Sequence, residues 1–438
     1  MEKKPKNTIA VCLIVTLLMF ASLPIISNAE KVDIEKKYTE LSGIDKELNL
    51  LKGEHHLYLK AVENTSVFNV NYAFPPEYGY QLPIFLEILE DSDADIINYK
   101  IEEDINEPNK LINFTIGNMT KDEIVKIHFN CWVLIESNDY SDMPNKVSIP
   151  KKSVYQGEEK KWLGPTEVVQ SNKLLIKLRA RMLKFLTFDV IRLAGKIARF
   201  CRNHHYALFY LQFKLGAYRS QDALTTLFLN GECPGRSHLG CALFRANNIP
   251  ARVLLANPTY SFEFEMHYMT EYYLHNYGWV LTEVHGGKTP HGPENQIILR
   301  ICHPEDENNT QTDFLFPKMK GIERWVWIDE SNVTPYYKNY NEASRIKTTN
   351  EKKFVIDSFP ADDVMNLTKD SYYKFEYFQG LNLSAENQGY FDNATAYHLD
   401  AIKGLSDPEQ SQPVLYYYIN LEHAMEEYNK IILRNKFE

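Results

Sequence analysis

Between residues 230 and 287 a cysteine, a histidine and a carboxylate follow one another, each at the edge of a definable element. Cys233 comes after Gly231-Glu232 and before Pro234. His267 lies in the apolar run Met266-His267-Tyr268, and Glu283 closes Gly278-Trp279-Val280-Leu281-Thr282-Glu283. A thiol acts as a nucleophile once a base has taken its proton, and the base works best when a carboxylate orients it. These three residue types supply the three parts, with Cys233 as nucleophile, His267 as base and Glu283 as orienting group.

The elements around them would have to place the parts. Pro234 suits the first turn of a helix, where no amide hydrogen is needed. Leu239, Ala242, Leu243 and Ala246 keep helical spacing behind it, and Asn248 suits a left-handed stop. A thiolate is favoured at the positive end of such a helix, whose free amides can also hold an oxyanion. Strands are expected over 252–256, 264–274 and 279–284, the last two forming a hairpin. A hairpin centred on His275 sets His267 opposite Glu283, and another loop length moves Glu283 to a diagonal position, still within reach. Upstream, Leu174, Leu175, Leu178, Met182 and Phe185 mark one helical face. Thr187 is expected to cap the next helix, and Ser220 a short one through Leu227.

The stretch resembles the transglutaminase-like superfamily of papain-fold thiol enzymes. The matching residues are Gly231-Glu232-Cys233, then Arg245-Ala246-Asn247-Asn248-Ile249-Pro250-Ala251-Arg252, then His267-Tyr268-Met269-Thr270-Glu271, then Gly278 to Glu283. Three positions depart from the family's pattern. Asn248 stands for the usual glycine, Met269 for a tryptophan and Glu283 for an aspartate. The resemblance implies a papain-like core at about 166–335 and acyl transfer through a thioester on Cys233. Water as acceptor gives hydrolysis of an amide or peptide bond; a lysine amine gives crosslinking. An extracellular cysteine protease or amidase acting on protein or peptide is the expected type. A non-catalytic surface protein binding peptide or glycan through the same core is the other reading.

Metal chemistry is not expected at the cysteines. Cys233 and Cys241 lack zinc-ligand spacing, the chain has no C-x-x-C, and Cys302-His303 is isolated. No cofactor and no metal are expected.

The rest of the chain bounds these readings. Its 438 residues exceed one ordinary domain. Apolar residues make up 44% and charged residues 24%, a balance that can bury a core. The net charge of −10 offers no basic face for nucleic acid. Lys3, Lys4 and Lys6 precede an almost wholly apolar run over 8–26, with small residues before Glu30. Residues 1–29 are expected to be a signal peptide or a membrane anchor, so the protein is expected to be extracellular or at the cell surface. Removing them leaves five cysteines, an odd number with at least one free thiol. Alternating apolar residues, clearest over 125–135, predict an antiparallel β-sandwich within 57–150. The fold class is therefore α+β: a sandwich and connector over 30–165, the core over 166–335, and a mixed extension over 336–438 with a terminal helix near 421–433. Residues 296–301 and 324–328 are expected to complete the core's sheet.

Overall fold

The computed structural model describes residues 46–203, 220–229, 231–259, 266–310, 325–339, 342–343, 345–356 and 361–435. Residues 8–26, expected to be targeting sequence, lie outside them. Among the described residues no helix is long and apolar enough to cross a membrane.

The first six strands are β1 (Lys46–Ala61), β2 (Phe68–Phe74), β3 (Gln81–Ile88), β4 (Ile96–Glu103), β5 (Lys110–Ile116) and β6 (Ile124–Glu136). All their pairings are antiparallel. The long strand β1 runs against β6 from Leu48↔Glu136 to Lys60↔Ile124, and β6 carries β3 on its other edge. Strands β2, β5 and β4 form a second sheet. The two sheets pack face to face through rings: Phe129 of β6 meets Tyr72 of β2 at 5.6 Å and Phe114 of β5 at 5.5 Å. Ile127, Phe129, Cys131, Val133 and Ile135 are buried as the alternation predicts, but His128, Asn130, Trp132 and Leu134 between them are buried as well, so both faces of β6 are covered.

Helices α1 (Leu174–Lys184), α2 (Val190–Arg202), α3 (Ala223–Leu229) and α4 (Cys233–Arg245) follow. Asp189, not Thr187, caps α2, its carboxylate accepting from the Arg192 amide; its carboxylate is fixed at the cap position, where the Thr187 hydroxyl lies two residues too early. Asp222, not Ser220, accepts from the Thr225 amide at the start of α3, and the Ser220 hydroxyl bonds the Asp222 carboxylate. The α1 stripe also differs from expectation. Leu174, Met182 and Phe185 are exposed at 69%, 64% and 70%, while Ile176 and Ala180 are buried. The shorter face of α1 is the one turned inward, and its Ala180 carbonyl accepts from Asn247 just beyond α4.

Helix α4 is buried from Pro234 to Arg245. It packs against β8 of a third antiparallel sheet, ordered β10-β7-β8-β9, made of β7 (Ala251–Pro258), β8 (His267–Leu274), β9 (Gly278–Thr282) and β10 (Gln296–Ile301). The outer edge of β10 is covered by side chains of the first two sheets. Gln81 bonds both the amide and the carbonyl of Ile298, at 2.7 and 2.9 Å, and Asn109 does the same for Ile301, at 2.7 and 2.8 Å. Each side-chain amide imitates a neighbouring strand, which leaves no edge for another to join.

Of the stretch expected to complete that sheet, residues 326–328 do not, and residue 324 lies outside the described residues. Strand β11 (Val326–Ile328) pairs with β2 instead. Strand β12 (Val333–Pro335) adds to the end of β1, a small hairpin joins β13 (Tyr337–Asn339) to β14 (Glu342–Ala343), and β15 (Arg345–Ile356) pairs along β1 from Lys46 to His56. The sequence reading put 326–335 with the core and 345–356 in a separate extension; strand pairing returns both to the N-terminal sheets. Helices α5 (Ala361–Gln379), α6 (Ala385–Ser406) and α7 (Pro413–Asn435) close the chain, and α5 packs on β3 through Phe375 and Phe85, 4.6 Å apart.

Two family-motif residues bind the third sheet to the first. Arg252 of β7 and Glu271 of β8 are paired across the sheet and form a buried ion pair at 2.9 Å. Tyr78, in the β2–β3 connection, donates to Glu271 and lies 2.6 Å from Arg252 Nη2. Trp279 covers the guanidinium at 3.8 Å and Trp162 at 5.0 Å. Removing one member of a buried pair strands the other charge, at a cost of about 3–5 kcal/mol. Arg252→Met should therefore lower unfolding stability by about that amount, and Arg252→Met with Glu271→Leu should recover most of it. Denaturant unfolding of the three proteins measures this; equal losses in the single and double variants would contradict it.

Candidate active site

Cys233 is the first residue of α4. Its placement depends on three glycines that let the helix lie close to its surroundings. A β-carbon on Gly231 would lie 2.8 Å from Thr226 Oγ1, and one on Gly235 would lie 2.6 Å from it and 2.7 Å from Gln221 Oε1. Further along, a β-carbon on Gly240 would press Val284 at 3.1 Å. The Gln221 side chain also accepts from the Glu232 amide at 3.0 Å, which holds the backbone just before the thiol. One turn beyond Cys233, the Ser237 hydroxyl donates to the Tyr268 carbonyl at 2.8 Å. Tyr268 follows His267, so this bond fixes the start of the helix against the start of β8.

His267 opens β8 and is paired with Ala256 of β7. The hairpin register differs from one centred on His275. Thr270 pairs with Thr282 and Leu274 with Gly278, so the turn centres on Asn276, whose φ is +66°. That shift puts Glu283 diagonal to His267, and the extra reach of a glutamate suits the diagonal. Glu283 Oε2 bonds His267 Nε2. Its other oxygen accepts from the amides of His285 at 2.8 Å and Gly286 at 3.1 Å. The loop that supplies those amides is closed by paired bonds between Glu283 and Lys288, both 2.9 Å. Gly287 within it has φ +73°, and a β-carbon there would collide with the Arg202 side chain at 2.6 Å.

The structure thus brings Cys233, His267 and Glu283 together. With Nε2 held by Glu283, Nδ1 is the ring nitrogen left for Cys233. Burial of His267 disfavours its charged form, but the bonds to Cys233 and Glu283 outweigh it and raise the imidazole to about 10. Glu283 is lowered: burial opposes its charge, and the hydrogen bond and charge of His267 more than offset that. His285, with its ring centroid 6.0 Å from that of His267, is pushed down to about 4 by burial and by Arg236, so it stays neutral beside the pair.

The remaining cysteines make a useful contrast. Cys131, Cys201, Cys241 and Cys302 are buried, Cys233 is half-buried, and none of the five is bridged. Burial pushes Cys131, Cys201 and Cys241 each to about 12. Cys131 even has a histidine, with His55 Nε2 at 3.2 Å, but burial lowers that imidazole to about 3 and its other nitrogen meets the Tyr72 hydroxyl rather than a carboxylate. A thiol beside an imidazole is not enough; the carboxylate and access from solvent distinguish the Cys233 pair.

Sequence reasoning missed Gln221 and Ser237. Each is an ordinary polar residue in a helical context, and only the close approach of neighbouring elements gives it a task. Met269, which stands where the resembled family has a tryptophan, is fully buried and is paired with Leu254. Asn248 takes the left-handed conformation, φ +64°, that a glycine would take there.

Residues 194–284 match the family model of the transglutaminase-like superfamily, a span that contains Cys233, His267 and Glu283. Among solved structures, the chain is similar to a proposed cysteine protease from Cytophaga hutchinsonii, at 14% identity and a TM-score of 0.43, over 70% of this chain and 99% of the other. It is also similar to a proposed protease from Parabacteroides distasonis, at 12% identity and a TM-score of 0.22, over 52% of this chain and 42% of the other. No curated protein matches the chain.

The pH dependence of stability follows from the two shifts. A raised imidazole contributes stability that is complete below its ordinary 6.5 and is lost as pH rises through about 10. A lowered carboxylate contributes stability above its ordinary 4.5 and loses it as pH falls. The stability difference between the unaltered protein and Glu283→Gln should therefore be largest between pH 4.5 and 6.5 and shrink towards pH 10. Unfolding curves across that range check it, and a difference that stays constant to pH 10 would contradict it.

Proposed function

We propose that the protein is a thiol hydrolase that cleaves amide or peptide bonds through a thioester on Cys233. The geometry that carries this reading is the His267–Glu283 hydrogen bond, with the carboxylate fixed by two backbone amides, beside the half-buried Cys233 at the start of α4. The transglutaminase-like core at 194–284 supports an enzyme.

In the first half of the reaction the Cys233 proton lies on His267 Nδ1, as the raised imidazole favours, and the sulfur attacks the substrate carbonyl carbon. The developing oxyanion is held by amides of the first turn of α4, where Pro234 has no hydrogen to give and Cys233 and Gly235 do. The carbonyl re-forms, the carbon–nitrogen bond breaks, and the imidazolium passes its proton to the leaving amine. In the second half a water gives a proton to His267 and attacks the thioester. The carboxylic acid leaves, and Cys233 regains its proton. Glu283 keeps the ring in one orientation and balances its charge while it holds the extra proton. Water needs no second binding site, so hydrolysis is the simpler outcome; a substrate amine in its place would give crosslinking.

The substrate class is a protein or peptide. The site of action is outside the cytoplasm, an assignment supported by the basic and apolar pattern of residues 1–29 alone.

Two substitutions test the reaction on casein and a set of fluorogenic peptide amides. Cys233→Ala should fold and have no turnover. Glu283→Gln should fold, bind substrate, and turn over about 100-fold or more slowly, because the histidine loses its charged partner. Full activity of Cys233→Ala would refute the reading.

A further inference from the structure

A second group of chemistry-bearing side chains lies on the first sheet, whereas His267 belongs to the third. Glu54 and His56 alternate on β1 and so share a face. His128 of β6 is paired directly opposite His56. One ligating atom from each of the three lies within 4.8 Å of the others. Glu54 Oε1 is 2.8 Å from His56 Nε2 and 3.4 Å from His128 Nε2. The two imidazoles stack at 3.9 Å and are each only 8% exposed.

The decisive atom is His128 Nε2. Its partner nitrogen, Nδ1, lies 2.6 Å from Asp91 Oδ1 in the turn after β3. Asp91 is itself held by Lys126 Nζ at 2.6 Å. When the ring holds one proton, on the Nδ1 that donates to that carboxylate, Nε2 carries its lone pair. This Nε2 is buried and makes no hydrogen bond. A buried polar atom left in that state is costly unless something occupies its lone pair.

We propose that Glu54, His56 and His128 form a zinc site, with Asp91 as the residue that orients His128. Two imidazoles and a carboxylate are a donor set that zinc takes, with water in the fourth position. Zinc bonds near 2.1 Å in a tetrahedron require donor atoms about 3.4 Å apart. The Glu54–His128 separation of 3.4 Å matches it, and the Glu54–His56 separation of 2.8 Å is a hydrogen bond that would open on binding. The carboxylate–histidine–metal arrangement is the usual way a ligating ring is fixed. The ion would join β1 to β6, the longest strand pairing among the described residues.

The thiol site could also bind zinc, so the test uses the full-length Cys233→Ala protein, titrated with zinc chloride and followed by calorimetry and thermal unfolding. One zinc per chain is expected, with a rise in melting temperature. Adding His128→Ala or His56→Ala should weaken binding by about 100-fold or more and abolish the thermal shift, and Asp91→Asn should weaken it by about 10–100-fold. If His128→Ala fails to fold, Glu54→Gln keeps the side-chain size and carries the same expectation. Absence of zinc binding at micromolar concentrations in Cys233→Ala, or binding unchanged by loss of these residues, would overturn the proposal.

Discussion

The closeness of α4 to the sheet beneath it is the constraint on which the site depends. A thiol on a helix and an imidazole on a strand meet only if helix and strand touch at their starts. Gly231 and Gly235 let the first turn settle onto Gln221 and Thr226, and Gly240 lets the next turns settle onto Val284. The Ser237 hydroxyl then fixes α4 to the carbonyl of the residue after His267. A side chain at any of these glycines would move the helix by tenths of an ångström, and the hydrogen bond from thiol to ring tolerates little more.

The sheet itself is held by the rest of the chain. Its outer strand β10 is finished by the side-chain amides of Gln81 and Asn109. Arg300 of the same strand reaches Asp104 at 2.7 Å and Asp306 at 2.7 Å, so a charge network crosses to the second sheet. On the opposite side of β7, Arg252 and Glu271 are closed over by Tyr78. Strands β11, β12 and β15, which come after the core in the chain, complete the N-terminal sheets. The core is thus enclosed in sequence by the framework that supports it. That arrangement explains why ordinary motif residues such as Arg252 and Glu271 are deeply buried although neither touches the reacting groups.

Local signals carried most of what was legible in the sequence. Pro234, the helical spacing after it and Asn248 define α4, and strict alternation defines β6, because these patterns reflect one element's own period. The order and element type of Cys233, His267 and Glu283 were readable for the same reason. Register was not. The turn at Asn276 depends on a left-handed residue followed by Gly278 at φ +123°, and one position of difference moved Glu283 from opposite to diagonal. Long-range pairing was not readable either, since nothing in residues 326–356 specifies which edge is vacant. The α1 stripe misled because it is apolar on two faces and only the smaller one is packed. Cysteine spacing said nothing about Glu54, His56 and His128, which only the β1–β6 register brings together.

The most direct measurement is the alkylation of the folded protein by limiting iodoacetamide at neutral pH, with each cysteine quantified by peptide mapping. Cys233 should react far faster than Cys131, Cys201, Cys241 and Cys302, which are buried. His267→Gln should slow Cys233 alone, because the thiol loses its base. Slow and equal labelling of all five, or a Cys233 rate indifferent to His267, would contradict the assembled thiol site.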